Sequence, residues 1–310
     1  MKLKRYVQAA TFVAILGLGT AFAGGEGWLS DFEAAKKQAA DEKKNLLIDF
    51  TGSDWCGWCI KLNKEVFDHA EFKNGVKEKF VLVEIDFPND KSKLTAAVIA
   101  QNEALQEKYA VKGFPTILLT DEQGKPFAIT GYQAGGPDAY VKHLDELLGM
   151  REKRDAAFAE ASKAEGVAKA NLLITAIRSM QLEDKMVSTF YADEIEAIKA
   201  ADPKDESGYL KGIQTKLKFE DFQSQLNDLG GKKDFEGVMK RIDETLAAGT
   251  FEGELKQQAM LFKAITHMQL KQPEEAIKTL DMAKAVLPDG PMAANIDGLK
   301  KRFEAAAPKE

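Results

Sequence analysis

The only two cysteines of this chain stand three residues apart, in Trp55-Cys56-Gly57-Trp58-Cys59. With no second pair there is no covalent staple between distant segments, so any disulfide is the short one between Cys56 and Cys59. The residues before the motif, Asn45 to Thr51, are a brief apolar run flanked by turn signals, which predicts a buried strand. Ile60 to Phe67, after it, continue with helical spacing. A cysteine pair at a strand-to-helix junction has a definite chemistry. The first sulfur sits where unpaired backbone N–H groups and the helix dipole favour a thiolate, and the thiolate is the form that attacks disulfides. The second lies on the first helical turn, within reach of a mixed disulfide. Cys56 is therefore the candidate nucleophile and Cys59 the candidate resolving thiol. Lys61 and Lys64 add positive field nearby and Asp54 opposes it.

Two other uses of the spacing stay open. Half of a zinc site would need two further ligands, and the three histidines, His69, His143 and His267, are scattered. No metal and no cofactor is expected. A purely structural disulfide is the other alternative; the strand-to-helix setting favours redox work over both.

Around the motif, Ser30-Asp31-Phe32-Glu33 reads as a capping box opening a helix to about Lys43. Phe80 to Asp86 is a second β-rich run, and Ser92 to Tyr109 a helix. Pro115 to Thr120 and Pro126 to Tyr132 are strands joined by Asp121-Glu122-Gln123-Gly124, and Pro137 to Leu148 is a closing helix. The order α-β-α-β-α-β-β-α predicts a mixed sheet, parallel with an antiparallel edge and flanked by helices. From about Met150 strand signals vanish. Arg151–Glu165, Val167–Met180, Asp184–Ala200, Lys218–Leu229, Phe235–Ala247, Leu255–Leu270 and Glu274–Val286 read as amphipathic helices, punctuated by Asp202-Pro203 and Gly230-Gly231.

The chain of 310 residues thus divides into three parts. Residues 1–23 read as a signal peptide, with Lys2, Lys4 and Arg5 ahead of an apolar stretch from Val7 to Leu18 and the small-x-small pattern Ala21-Phe22-Ala23. An uncleaved anchor is the alternative, although the apolar run is short for a membrane span. Residues 24–149 form the α/β part and residues 150–310 an all-α part. Cleavage removes three positive charges and no acid from a formal net charge of −6, leaving −9. An acidic, exported chain argues against a nucleic-acid partner, which wants a basic face. The expected location is the periplasm or another exported compartment.

Leu47-Ile48-Asp49-Phe50, Trp55-Cys56-Gly57-Trp58-Cys59 and Val111-Lys112-Gly113-Phe114-Pro115-Thr116 resemble, in family order, the motifs of the thioredoxin family. The resemblance covers roughly Trp28 to Leu148 and looks nearest to exported bacterial thioredoxin-like proteins. It implies a thioredoxin-like α/β fold followed by the helical-hairpin domain. It also implies that Pro115, after Phe114, is the cis-proline beside the cysteines that helps hold a partner's backbone, and that Trp55 shields the first cysteine. Asp49 would be the buried acid assisting proton transfer at the resolving cysteine, with burial raising its pKa; a strand-end hydrogen-bonding role is the alternative. Three departures stand out. Asp49 lies one residue further from the first cysteine than in ordinary thioredoxins, because Thr51-Gly52-Ser53-Asp54 is longer. The lysine that often accompanies that acid falls on Leu82. Trp58 stands where reducing thioredoxins carry proline and oxidising relatives histidine, either as a hydrophobic cover or as a substrate contact.

In the helical part, Ala264, Ala276, Leu280, Ala283 and Pro288 fall at spacings resembling one tetratricopeptide repeat, with a plain helical bundle as the alternative. Stacked helix pairs form grooves for protein partners. The expectation is a thiol–disulfide oxidoreductase acting on exported protein thiols or disulfides, as reductase or isomerase rather than oxidase, with a membrane electron donor as a further partner. The alternative is a protein-binding scaffold in which the thioredoxin-like domain is a docking module.

Overall fold

The computed structural model describes residues 27–306. The expected signal peptide therefore lies outside the described residues. The chain divides into two compact units, one running to Ala156 and taking in Arg178–Leu182, the other comprising Ala157–Ile177 and Glu183 onward.

In the first unit, strands β1 (Trp28–Leu29), β2 (Asn45–Thr51), β3 (Phe80–Asp86), β4 (Thr116–Thr120) and β5 (Pro126–Thr130) form one sheet. Their order is β1-β3-β2-β4-β5. β1 and β2 both run parallel to β3, whereas β4 is antiparallel to β2 and to β5, giving a mixed sheet. β2 is central, and Leu46, Leu47, Ile48 and Phe50 are wholly buried. A strand covered on both faces reads as a continuous apolar run, which is why this segment is so legible. Helices α1 (Phe32–Glu42), α2 (Gly57–Leu62), α3 (Ala70–Val76), α4 (Ala96–Lys108) and α5 (Gly136–Ala161) accompany the sheet. Tyr109, at the end of α4, meets Phe32 of α1 and Phe50 of β2 edge-on. Phe67, in a π-helical turn continuing α2, packs with Phe72 of α3 and Tyr140 of α5.

Several local expectations shift. The capping box at Ser30 is displaced by one residue: Asp31 is the N-cap, accepting the Ala34 N–H at 2.9 Å. The cause is tertiary. Gln101 of α4 donates to the Ser30 carbonyl at 2.8 Å and accepts the Phe32 N–H at 3.0 Å, pinning both residues that flank the cap. Glu33 pairs instead with Lys36 at 2.8 Å. The helix placed at Ser92 begins at Ala96, because Thr95 caps it through Val98 N–H and a 3-10 turn occupies Lys91–Lys93. β1 and α3 are additions, too short to leave a period in the sequence. The helices expected at Pro137–Leu148 and Arg151–Glu165 are one, α5, since Gly149 alone lowers helix stability by only about 1 kcal/mol and does not end it.

The second unit is helical throughout its described length: α6 (Gly166–Ser179), α7 (Asp184–Phe190), α8 (Ala192–Ala201), α9 (Tyr209–Gly231), α10 (Phe235–Ala247), α11 (Gly253–Gln269), α12 (Pro273–Val286) and α13 (Ala293–Ala306). The single helix expected over Asp184–Ala200 is broken at Tyr191, a buried residue with φ −121°. The helix expected at Lys218–Leu229 is longer at both ends. It ends on Gly230-Gly231, as expected, and the turn to α10 follows with Lys233 at φ 59°. α13 lies beyond the expected helices. Phe219, Phe222, Leu226, Val238, Ile242 and Phe251 form one core cluster. Ala264, Leu280, Ala283 and Ile296 belong to a second, along α11, α12 and α13. The Gln257 side-chain amide, fully buried, donates to the carbonyls of Ala283 and Leu287 at 3.0 and 3.2 Å, tying α11 to the end of α12.

Candidate active site

The residues between β2 and α2 form a tight turn, in which the Gly52 carbonyl accepts the N–H groups of Trp55 and Cys56. Cys56 then caps α2 with extended backbone, φ −80° and ψ 103°, and its sulfur accepts the Cys59 N–H at 3.2 Å. A sulfur in that position faces the positive end of the helix, where negative charge is favoured. Cys56 and Cys59 are joined as a disulfide with Cα atoms 5.2 Å apart. Cys56 is 6% exposed and Cys59 1%, so the first cysteine is the more accessible of two well-covered sulfurs.

Aromatic side chains surround the pair. Trp55 is about half exposed, and its indole N–H donates to the Phe87 carbonyl at 2.7 Å. It lies against Gly52 so closely that a Cβ there would stand 2.5 Å from the ring. Any larger residue at that position would have to displace the indole. Trp55 meets Phe114 edge-on at 5.7 Å, and Phe114 in turn packs on Phe87 at 5.2 Å. The Phe114–Pro115 bond is cis. This contact brings the cysteine turn and the proline loop together. Trp58 is 57% exposed and leans on Tyr132 at 5.2 Å. The Lys61 ammonium stands over both rings, 5.0 Å from Trp58 and 4.8 Å from Tyr132, a cation–π arrangement. Glu65 accepts the Tyr132 hydroxyl at 2.6 Å and lies 3.9 Å from Lys61. Tyr132, Glu65 and Phe87 carry no motif of their own and were not singled out from sequence.

Asp54 is committed elsewhere. Its carboxylate accepts from the backbone of Asn89 at 2.8 Å and of Asp90 at 3.2 Å, with Lys93 at 3.4 Å, and these bonds hold its pKa below the usual range. The three histidines are likewise engaged away from the cysteines: His69 with the Lys64 carbonyl, His143 with Thr130 and His267 with Gln272.

Asp49 is 2% exposed, and its Oδ1 has no hydrogen-bond partner. Burial raises its pKa well above the carboxylate range, and the neighbouring charges of Glu84 and Asp86 push in the same direction. Glu84 is itself raised to about 7, chiefly by burial and then by Asp86. Leu82, at the position resembling the family's lysine, is buried one pleat before Glu84. Ser53, in the longer connection, donates its N–H and hydroxyl to the two oxygens of Asp86 at 2.9 and 2.6 Å. The insertion is thereby anchored on β3. Glu84 was missed because only the β2–β3 register reveals it as the neighbour of Asp49; its one sequence signal is an acid inside an apolar strand.

Residues 32–148 match the family profile described as thioredoxin-like domain. Disulfide bond reductase DsbH of Chlamydia pneumoniae is 37% identical over 124 residues, covering 40% of this chain and 74% of that protein. Thioredoxin-related protein DsbJ of the same organism is 32% identical over 128 residues, covering 39% of this chain and 36% of that protein. Thiol:disulfide interchange protein DsbD of Pseudoalteromonas atlantica is 30% identical over 123 residues, covering 39% of this chain but 19% of that protein. The chain belongs to the thioredoxin-like family, and with its Cys56–Cys59 disulfide it is a thiol–disulfide oxidoreductase.

Proposed function

We propose that this protein is an exported reductase or isomerase of protein disulfides, with Cys56 as nucleophile and Cys59 as resolving thiol. The observation that carries the reading is the Cys56 sulfur at the N-cap of α2, accepting a backbone N–H while Cys59 lies deeper. In the reducing direction the Cys56 thiolate attacks a client disulfide, and one client sulfur leaves as a thiolate. Cys59 then gives up its proton and attacks Cys56 Sγ, releasing the second client sulfur and closing the Cys56–Cys59 disulfide. Two electrons have passed to the client, and a dithiol donor must return them before the next turn. A membrane protein is the donor we favour in an oxidising compartment. Asp49 is the acid proposed to take the Cys59 proton, a role that suits a buried carboxyl with a raised pKa.

Trp55, Phe114 and Pro115 would line the client's backbone, and Trp58 would offer it an exposed ring. Export rests on Lys2, Lys4, Arg5 and the apolar stretch after them; among the described residues no helix is long and apolar enough to cross a membrane. We assign client recruitment to the helical residues from about 150 onward, with α11 and α12 as a tetratricopeptide-like pair. Ala264, Ala276, Leu280 and Ala283, all fully buried, support that pairing.

Trapping tests the reading. Cys59→Ala should accumulate mixed disulfides between Cys56 and exported clients, which Cys56→Ser abolishes. A folded Cys59→Ala protein that traps nothing under any redox condition would overturn the enzyme reading in favour of a scaffold. The reduction potential of the pair, compared with that of the compartment, then gives the direction.

A further inference from the structure

The sheet face that carries Asp49 holds two further acids, Glu84 and Asp86, outside every motif of the redox site. β2 and β3 are parallel, with Asp49 opposite Glu84 and Thr51 opposite Asp86. Adjacent strands lie about 4.8 Å apart, and residues in register project to the same side. Three carboxyls therefore share one face, but their situations differ. Both oxygens of Asp86 are occupied by Ser53. Asp49 is buried with Oδ1 unpartnered, and beside it the Thr51 hydroxyl is equally buried and unpartnered. Glu84 is half-buried, and it stands just past the point where β1 stops pairing, since Leu29 of β1 is opposite Val83. It is the most exposed of the three acids, Asp49 and Asp86 both being buried.

Among the described residues, the charges that act on Asp49 are Glu84 and Asp86 and the one that acts on Glu84 is Asp86, all acids. Leu82 precedes Glu84 on the same face, and Ile117 of β4 stands opposite Asp49. From α5 comes Tyr140, whose hydroxyl is committed to the Gly131 carbonyl at 3.0 Å. Two acids side by side do not ionise independently; their protons belong to the pair.

We infer that Glu84 is a positioning residue of the redox site, the outer member of a proton-sharing carboxyl pair whose inner member is Asp49, and that it passes the proton of Asp49 to solvent. This rests on the reading of Asp49 as acceptor of the Cys59 proton. As Cys59 Sγ bonds to Cys56 Sγ and the client leaves as a thiolate, the Cys59 proton goes to the Asp49 carboxylate. It then moves from Asp49 to the Glu84 carboxylate and from there to water. No electron moves in these last transfers, and Asp49 is left ionised for the next turn.

The test measures oxidation of the reduced full chain by oxidised glutathione as a function of pH, followed by tryptophan fluorescence. Wild type should show an ionisation near the value of about 7 reached by Glu84. Glu84→Gln should lose that ionisation and react more slowly at neutral pH, on the order of tenfold, and Glu84→Asp should restore most of the rate. A folded Glu84→Gln with the wild-type profile overturns the inference. Asp49→Asn separates the two readings. If it alters the profile while Glu84→Gln does not, only the Glu84 inference falls; if it leaves the profile unchanged, the Asp49 reading falls and takes this one with it. Carbon-13 NMR titration of the wild-type Glu84 carboxyl covers the event that a variant does not fold. A two-step curve shared with Asp49 supports the pair, and a single step in the ordinary carboxylate range overturns it.

Discussion

Glu84 also has a consequence for stability, because burial raises its folded pKa from 4.5 to about 7. As pH rises, the unfolded chain loses this proton first. Between about 4.5 and 7 the folded state holds more protons than the unfolded one, so stability falls with pH across that window and levels off above it. The contribution is on the order of 2 kcal/mol once screening at a half-buried site is allowed for. Urea denaturation of wild type and Glu84→Gln should therefore differ above neutrality, with the variant more stable, and converge at acid pH; equal stability at both ends would show that the carboxyl is not desolvated. At this scale the cysteines were plain in the sequence, since two residues with one spacing leave a single pairing. Glu84 was not, because a carboxyl becomes a neighbour of Asp49 only through strand register, which one residue of slip would reverse.

Elements obey the same division. β2 and β3 stood out as apolar runs because both faces of a central strand are covered. Helix starts were less legible, since Ser30 and Asp31 are both good caps and the choice between them is made by Gln101 from α4. Asp31→Ala should cost about 1 kcal/mol in chemical denaturation and Ser30→Ala much less. The reverse order would place the cap where the sequence pattern alone puts it. The Gly230-Gly231 pair was more legible, since α9 ends on it. Glycine permits a turn without fixing which residue makes it, and the left-handed conformation falls on Lys233, two residues past the end of α9.

For the molecule as a whole, the chain divides into two compact units, with the cysteines in one and the α11–α13 cluster in the other. Leu280, fully buried in the α11–α13 cluster, is the position to test. Leu280→Ala should destabilise the helical unit by about 2–5 kcal/mol, seen as an earlier transition in far-ultraviolet circular dichroism. The reduction potential of Cys56–Cys59 should not move; a shifted potential would show that the helical core acts on the redox pair. From the order of residues alone came the cysteine pair, its strand-to-helix setting, the mixed α/β part and the helical part after it. These follow from local periodicity and from a count of two cysteines, which no packing can alter. Tertiary structure decided which acids neighbour Asp49, which residue caps α1, how far α5 and α9 run and that Tyr132 and Lys61 flank Trp58. Each of those depends on groups distant in sequence meeting across strands or helices, where register and burial set the outcome.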